Sequence, residues 1–149
     1  MGISTLALRD RIRLLLTVKG SPAELSLSFS IGVFIGMSPF LGLHTLLALG
    51  VAALFRLNKL VTLAGAYVTN PWTILPIYTL GTWLGIKVTS HGNILQHIDF
   101  RGIRFFNLID LLGDLFLPFF VGTLLLGTLS SLICYFSLYA LLKRIRKEE

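Results

Sequence analysis

The sequence predicts an all-α integral membrane protein, and three observations support this fold class. The chain of 149 residues is 54% hydrophobic and only 13% charged, whereas a soluble domain is roughly 45–50% apolar and about 25% charged. Its mean hydropathy is +0.81, which leaves too little polar surface to coat a globule. Its apolar runs are interrupted by prolines and flanked by basic residues, as is typical of membrane helices.

We expect one domain with five consecutive parts. These are a basic amphipathic helix over 1–20, a core of paired proline-broken helical hairpins over 21–90, a polar connecting segment over 91–113, a C-terminal transmembrane helix over 114–142 and a basic tail over 143–149. In the first part, Leu8, Ile12 and Leu15 share one side, which predicts a helix lying in the membrane interface. The alternative is a helix packed on other protein.

The first hairpin begins at Ser21, a plausible N-cap, with Pro22 in the first turn and Glu24 soon after. One apolar run then extends from 23 to 37 and a second from 40 to 55. Each is shorter than the ~20 residues that a helix needs to cross the hydrocarbon. The two runs therefore predict a hairpin that is either re-entrant or just spanning.

The second hydrophobic region repeats this design, with a short arm over 60–69, a break at Asn70-Pro71 and a longer arm over 72–88. A proline inside a helix costs about 3 kcal/mol or more, and irregular backbone survives in lipid only where protein or a wet cavity covers it. Two consecutive broken regions predict elbows that meet near the bilayer midplane, as in many transporters.

The placement of basic residues predicts the topology. Basic side chains precede the first apolar run, lie at Arg56 and Lys59 between the second and third runs, and close the chain from Lys143 onward. Lys and Arg near span ends mark the cytoplasmic side, so both termini are predicted to be cytoplasmic in a multi-pass protein. The same placement argues against nucleic acid as a partner, because the charges are not gathered on one face.

The elbows supply most of the candidate binding residues. Asn70 and Pro71 would form an unwound elbow that contacts a ligand, or a structural kink satisfied by the hydroxyls of Thr69 and Thr73. The matching elbow contains Ser38, Pro39, Gly42, His44 and Thr45. His44 is a candidate for titration or anion binding, and a histidine hydrogen-bonded to backbone is the alternative.

Three further candidates carry charge or cap helices. Glu24 either caps a helix start or forms a proton or cation site. Arg56, with Asn58, is either a positive-inside anchor or a clamp for a lipid phosphate, for which guanidinium geometry is suited. The G-x-x-x-G motifs at Gly32–Gly36 and Gly81–Gly85 predict close helix packing.

Enzyme motifs are absent from the sequence, which contains no P-loop, no G-x-S-x-G and no H-E-x-x-H. The lone cysteine, Cys134, is interpreted as a packing residue. We therefore predict a protein that is not an enzyme and needs neither a cofactor nor a metal.

The run from 21 to 85 resembles a bacterial membrane family catalogued as domain of unknown function 2062. The features that carry the resemblance are Gly32, Phe34, Gly36, Pro39, Gly42, His44-Thr45, Arg56-Leu57-Asn58 and Thr69-Asn70-Pro71-Trp72-Thr73. In this family glutamine often stands at the position of His44, which implies hydrogen bonding there. Some relatives carry the domain beside glycosyltransferase-like regions, which implies, by association, a role in envelope glycan or lipid-carrier metabolism.

These observations lead to one functional hypothesis and two alternatives. The hypothesis is a bacterial inner-membrane transporter, homo-oligomeric, that binds or translocates an anionic lipid or polyprenyl-phosphate carrier in envelope biogenesis. The first alternative is an ion channel or ion-coupled carrier whose site is made by elbow carbonyls. The second is a membrane scaffold for glycosyltransferases.

Overall fold

The computed structural model of the chain describes residues 20–40, 42–89 and 105–146, with the side chains of the last range described from residue 113 onward. Within these ranges the protein is all-helical, as predicted. The helices are α1 (Pro22–Met37), α2 (His44–Leu54), α3 (Lys59–Ala66), α4 (Pro71–Val88) and α5 (Phe105–Ile145). Apart from Gly20, the predicted amphipathic helix over 1–20 lies outside the described residues.

Local sequence signals account for the ends of α1. The Ser21 hydroxyl accepts a hydrogen bond from the backbone N–H of Glu24 at 3.2 Å, and Pro22 occupies the first turn, where no amide donor is needed. The predicted N-cap at Ser21 is thus confirmed. The helix ends at Ser38, whose backbone is extended, because the following Pro39 disfavours helical geometry in the residue before it.

Helix α5, with 41 residues, is much longer than the other described helices. At 1.5 Å per residue, the 16 residues of α1 and the 11 residues of α2 extend about 24 Å and about 16 Å. Among the described residues, one helical segment is long and apolar enough to cross a membrane, Gly113–Ile145, with a mean hydropathy of 1.9. The helix containing it begins at Phe105 instead of residue 114, and it accommodates Pro118 in its interior.

One end of the molecule brings parts of three helices together and is rich in basic residues. Leu25, Val61 and Leu142 form a buried cluster, so the start of α1, the start of α3 and the end of α5 lie together. Arg146 strengthens this arrangement, because its guanidinium Nη1 donates to the Gly20 carbonyl oxygen at 2.6 Å. We call this region the basic end; it carries Arg56, Lys59, Lys143, Arg144 and Arg146.

Glycines allow α1 and α3 to approach each other closely. A Cβ atom on Gly32 would overlap the Thr62 carbonyl oxygen, and one on Gly36 would meet the Ala66 carbonyl oxygen. Away from the basic end, Ala48 of α2 joins the interface in a buried cluster with Ile35 and Ala66. The packing role predicted for the first G-x-x-x-G motif is therefore confirmed.

The second G-x-x-x-G motif holds α4 against α5. A Cβ atom on Gly85 would overlap the Pro118 carbonyl oxygen, and Gly81 lies against Thr123. The contact is reciprocal, because a Cβ atom on Gly122 of α5 would overlap the Gly81 carbonyl oxygen. Both helices thus need glycine at the crossing, and the predicted packing role of Gly81–Gly85 is also confirmed.

Candidate functional site

Two interruptions of the helices lie in contact at the end of α1 opposite to the basic end. The first elbow comprises residues 38–40 and 42–43, and the second comprises residues 67–70. The Tyr78 hydroxyl of α4 donates to the Ser38 carbonyl oxygen at 3.1 Å. At the start of α2, the Thr45 hydroxyl lies 3.2 Å from the Tyr67 hydroxyl. The structure therefore brings together the two broken regions that the sequence singles out.

Within the first elbow, Ser38 is buried and its polar atoms are engaged. Its hydroxyl donates to the Ile35 carbonyl oxygen at 2.6 Å, while its own carbonyl accepts from Tyr78. The half-buried Pro39 follows, and the chain turns at Gly42, whose φ of +82° suits glycine. Ser38 and Pro39 thus act mainly as a helix stop and a docking point for α4.

The second elbow is satisfied by its own neighbours. The Asn70 side-chain oxygen accepts from the backbone N–H groups of Trp72 at 2.9 Å and Thr73 at 3.1 Å. In return, the Asn70 backbone N–H donates to the Thr73 hydroxyl at 2.8 Å, which completes a capping box. Pro71 stands in the first turn of α4, where its missing donor costs nothing. The break is therefore a helix cap.

Thr69 behaves differently from Thr73. The Thr73 hydroxyl donates to the Val68 carbonyl oxygen at 3.0 Å, as the kink interpretation expected. The Thr69 side chain is buried at 5% exposure, and its hydroxyl has no hydrogen-bond partner among the residues the structure describes. It lies instead against Gly36 of α1. A buried hydroxyl without a partner is costly, so Thr69 marks the least satisfied point of the elbows.

His44 and Thr45 open α2 and face the second elbow. The imidazole ring of His44 stands edge-on to the Tyr67 ring, with centroids 5.8 Å apart and planes at 87°. The His44 side chain is half-buried, whereas the Tyr67 side chain is exposed. In the part of the chain described, the contact of His44 is aromatic, and no hydrogen bond to backbone accompanies it. Thr45 is the residue that supplies the polar link, through Tyr67.

Arg56 occupies an unusual backbone position at the basic end. Its φ is +54°, and the following residue, Leu57, donates its backbone N–H to the Ala52 carbonyl oxygen at 2.8 Å. This bond closes a C-terminal cap in which the residue at the position of Arg56 is usually glycine. A side chain in this left-handed conformation costs roughly 1–2 kcal/mol. The Arg56 side chain is exposed and makes no hydrogen bond or ion pair within the described ranges.

Asn58 and Glu24 have structural roles near Arg56. Asn58 caps α3 by accepting from the Val61 backbone N–H at 3.2 Å, and its own N–H donates to the Ser28 hydroxyl at 3.1 Å. Glu24 is exposed in the first turn of α1, where a carboxylate complements the helix dipole. Asn58 thus anchors the Arg56 turn to α1 and leaves the guanidinium as the group available to a ligand.

The predicted site residues therefore divide into two groups. Those at the elbows are Ser38, Pro39, His44, Thr45, Asn70, Pro71 and Thr73, whereas Glu24, Arg56 and Asn58 lie at the basic end. The length of α1, about 24 Å, separates the groups, so they do not form one site. In the described part of the chain, no cluster of three or more histidine, cysteine or acidic residues could hold a metal ion.

Sequence reasoning missed the two tyrosines that join the elbows. Tyr67 and Tyr78 lie in apolar stretches of the sequence, where aromatic residues are common in membrane helices. A signal was available for Tyr78, because a tyrosine hydroxyl that is removed from water usually needs a partner. It does not reveal which carbonyl across the fold will supply that partner.

Comparison with known proteins agrees with the resemblance noted from the motifs. The chain matches the family described as uncharacterized protein conserved in bacteria (DUF2062) over residues 6–149. No curated protein and no solved structure shows a significant match to the chain. Since the match extends over almost the whole length, the chain belongs to this family of uncharacterized bacterial proteins.

Proposed function

We propose that the chain is a multi-pass protein of the bacterial inner membrane that binds an anionic lipid or a polyprenyl-phosphate carrier through Arg56 and translocates it during envelope biogenesis. The observation that carries the proposal is the conformation of Arg56. Its backbone is in the left-handed region, although glycine would fit there at lower cost. Residues other than glycine that are held in sparsely populated backbone regions cluster at functional sites.

The chemistry of the exposed guanidinium suits a phosphate. Arginine presents planar donors that bind phosphate oxygens in a bidentate manner, and it remains charged at any physiological pH. Asn58, bound to Ser28 of α1, holds the turn in place. The neighbouring cations of the basic end would raise the local concentration of anionic headgroups, with a contribution of about 1 kcal/mol per basic residue near an anionic leaflet.

Helix lengths support a specific placement in the bilayer. If the basic end lies at the cytoplasmic interface, α1 reaches about 24 Å inward, which is less than the ~30 Å of hydrocarbon. The elbows would then lie inside the membrane, with α2 returning to the cytoplasmic side as the second arm of a re-entrant hairpin. The helix α4 would continue outward, and α5 would cross back.

The ion-channel alternative has less support from the geometry. It requires elbow carbonyls that face a pathway, but the carbonyl oxygens of Ser38 and Asn70 accept hydrogen bonds from the Tyr78 hydroxyl and the Ile74 backbone N–H. The buried hydroxyl of Thr69 is the one observation that favours it. Homo-oligomerisation and glycosyltransferase binding stay predictions.

Transbilayer movement of lipid in reconstituted vesicles tests the proposal. Fluorescent phosphatidylglycerol and a fluorescent polyprenyl phosphate would be followed with wild type, Arg56→Lys and Arg56→Gly. We expect wild type to move at least one of these lipids, Arg56→Lys to retain part of the activity and Arg56→Gly to lose it. Lys87→Ala is the control, because Lys87 lies at the far end of α4. Equal movement by Arg56→Gly and wild type would contradict the proposal.

A further inference from the structure

An apolar groove between α1 and α5 lies on the face of α1 that α3 does not cover. Its volume is about 370 Å³, and the residues that form its apolar walls are Leu27, Ile31, Phe34, Leu132, Tyr135 and Phe136. Volumes of this size are typical of sites for small ligands. The groove is independent of Arg56, because α3 contacts α1 through Gly32 and Gly36, on another side of the helix.

The two serine hydroxyls that line the groove are bonded to backbone carbonyls of their own helices. The Ser30 hydroxyl donates to the Leu27 carbonyl oxygen at 3.0 Å, and the Ser131 hydroxyl donates to the Thr128 carbonyl oxygen at 2.9 Å. Both hydroxyls are thus satisfied by their own helices. The surface that remains is hydrocarbon and aromatic, which suits an alkyl chain and offers little to a polar ligand.

Contacts between α1 and α5 close the groove at both ends. Toward the elbows, Gly127 lies against Phe34 and Met37. Toward the basic end, Leu25 contacts Leu142 in the buried cluster. The open length, from Leu27 to Phe34, is roughly 10 Å of helix. A flexible chain fits such a short recess.

An aromatic and basic row connects this groove to the basic end. Tyr135, which lines the groove, stacks on Tyr139 with ring centroids 6.0 Å apart and planes at 8°. One turn later, the Lys143 ammonium lies 5.7 Å from the centroid of the Tyr139 ring. Aromatic rings followed by a snorkelling lysine are typical of the level where lipid headgroups lie. The row therefore leads from a hydrocarbon surface to an exposed cation.

The charges at this end of the groove favour an anionic headgroup. Lys143 and Arg146 supply positive charge, and the carboxylate on the same side of α1 is that of Glu24. Glu24 lies against Gly20, whose carbonyl accepts from Arg146, so a guanidinium lies close to this carboxylate. Among the described residues at this end of the groove, cations outnumber the one carboxylate, which leaves a positive balance for a phosphate.

We infer that this groove binds one acyl chain of an anionic glycerophospholipid whose phosphate contacts Lys143. Tyr135 and Lys143 are about 12 Å apart along α5, a distance that the glycerol and the first carbons of the chain would cover beside Tyr139. The site holds a second lipid, apart from the one proposed at Arg56. An experiment can therefore contradict the groove proposal without contradicting the Arg56 proposal, and the reverse.

Native mass spectrometry with phosphatidylglycerol, and with phosphatidylcholine in parallel, tests this site. The variants are Lys143→Glu, which reverses the charge, and Ser131→Leu, which fills the groove. The control is Lys87→Glu, because Lys87 stands 4.0 Å from the Trp83 ring in the same lysine-over-aromatic arrangement but lies far from the groove. A circular dichroism spectrum checks that each variant stays helical.

We expect wild type and Lys87→Glu to retain phosphatidylglycerol in preference to phosphatidylcholine. Lys143→Glu should weaken phosphatidylglycerol binding roughly tenfold or more, and Ser131→Leu should reduce retention of both lipids. Arg56→Gly should still hold the groove lipid. Undiminished binding by a helical Lys143→Glu, equal loss in Lys87→Glu, or equal binding of the two lipids by wild type would each overturn the inference.

Discussion

The Tyr78 hydroxyl donates to the carbonyl oxygen of Ser38 across 3.1 Å, and this bond joins α4 to the elbow that ends α1. The two residues are 40 positions apart in the chain. The bond satisfies a carbonyl at a helix end, where no intrahelical donor is available. It therefore links the two broken regions through a part-buried polar contact.

Replacing Tyr78 with phenylalanine should lower stability by about 1 kcal/mol, because the buried Ser38 carbonyl would lose its donor. Thermal unfolding in detergent measures the change. Tyr139→Phe serves as the control, since the Tyr139 hydroxyl makes no hydrogen bond in the described residues. Equal melting temperatures for Tyr78→Phe and wild type would show that the bond does not stabilise the elbows.

Alanine at Gly85 should destabilise the protein by about 3 kcal/mol or more, since a Cβ atom there would overlap the Pro118 carbonyl oxygen and backbone yields little to overpacking. Gly50→Ala in α2 is the matched control, because nothing lies within 4 Å of its added Cβ. It should be neutral or stabilising by up to about 1 kcal/mol. A Gly85→Ala protein that melts like Gly50→Ala would refute the close α4–α5 contact.

Asn70→Ala should cost about 1 kcal/mol through loss of the capping box, whereas Asn70→Asp should retain most of the stability because aspartate caps equally well. Chemical denaturation of the three proteins measures this order. If Asn70→Asp were as unstable as Asn70→Ala, capping would not explain the residue. If Asn70→Asp is instead stable but lacks transport, the side-chain amide of Asn70 would be assigned to a ligand.

Thr69→Val should raise stability by roughly 1 kcal/mol, because it removes a buried hydroxyl that has no partner among the described residues. Thr62→Val is the matched control. The Thr62 hydroxyl donates to the Asn58 carbonyl oxygen at 3.0 Å, so its loss should lower stability. Melting temperatures that fall together in both variants would contradict the assignment of Thr69 as unsatisfied.

Local signals predicted much of the fold. Ser21 and Pro22 mark the start of α1, and Ser38-Pro39 marks its end. The break at Asn70-Pro71 is also where predicted, but its meaning changes, because Asn70 and Thr73 satisfy each other across a helix start. A capping box and a ligand-binding elbow use the same residue types, so composition alone leaves both open.

Long-range contacts account for what sequence reasoning could not supply. The partner of Tyr78 and the groove between α1 and α5 depend on how helices distant in the chain cross. The positive φ of Arg56 could not be predicted from the sequence either, since arginine has no preference for positive φ. The continuation of α5 through Pro118, by contrast, agrees with the helix predicted over 114–142.

The most direct test of the central claim combines stability and lipid binding in Arg56→Gly. Glycine adopts the left-handed backbone conformation of residue 56 without strain. The melting temperature should therefore not fall, and the free energy of unfolding should rise by up to about 1 kcal/mol. Native mass spectrometry with phosphatidylglycerol and a polyprenyl phosphate should show one retained lipid fewer than wild type, while Arg56→Lys keeps it. A stable Arg56→Gly protein that retains every lipid of the wild type would contradict the account.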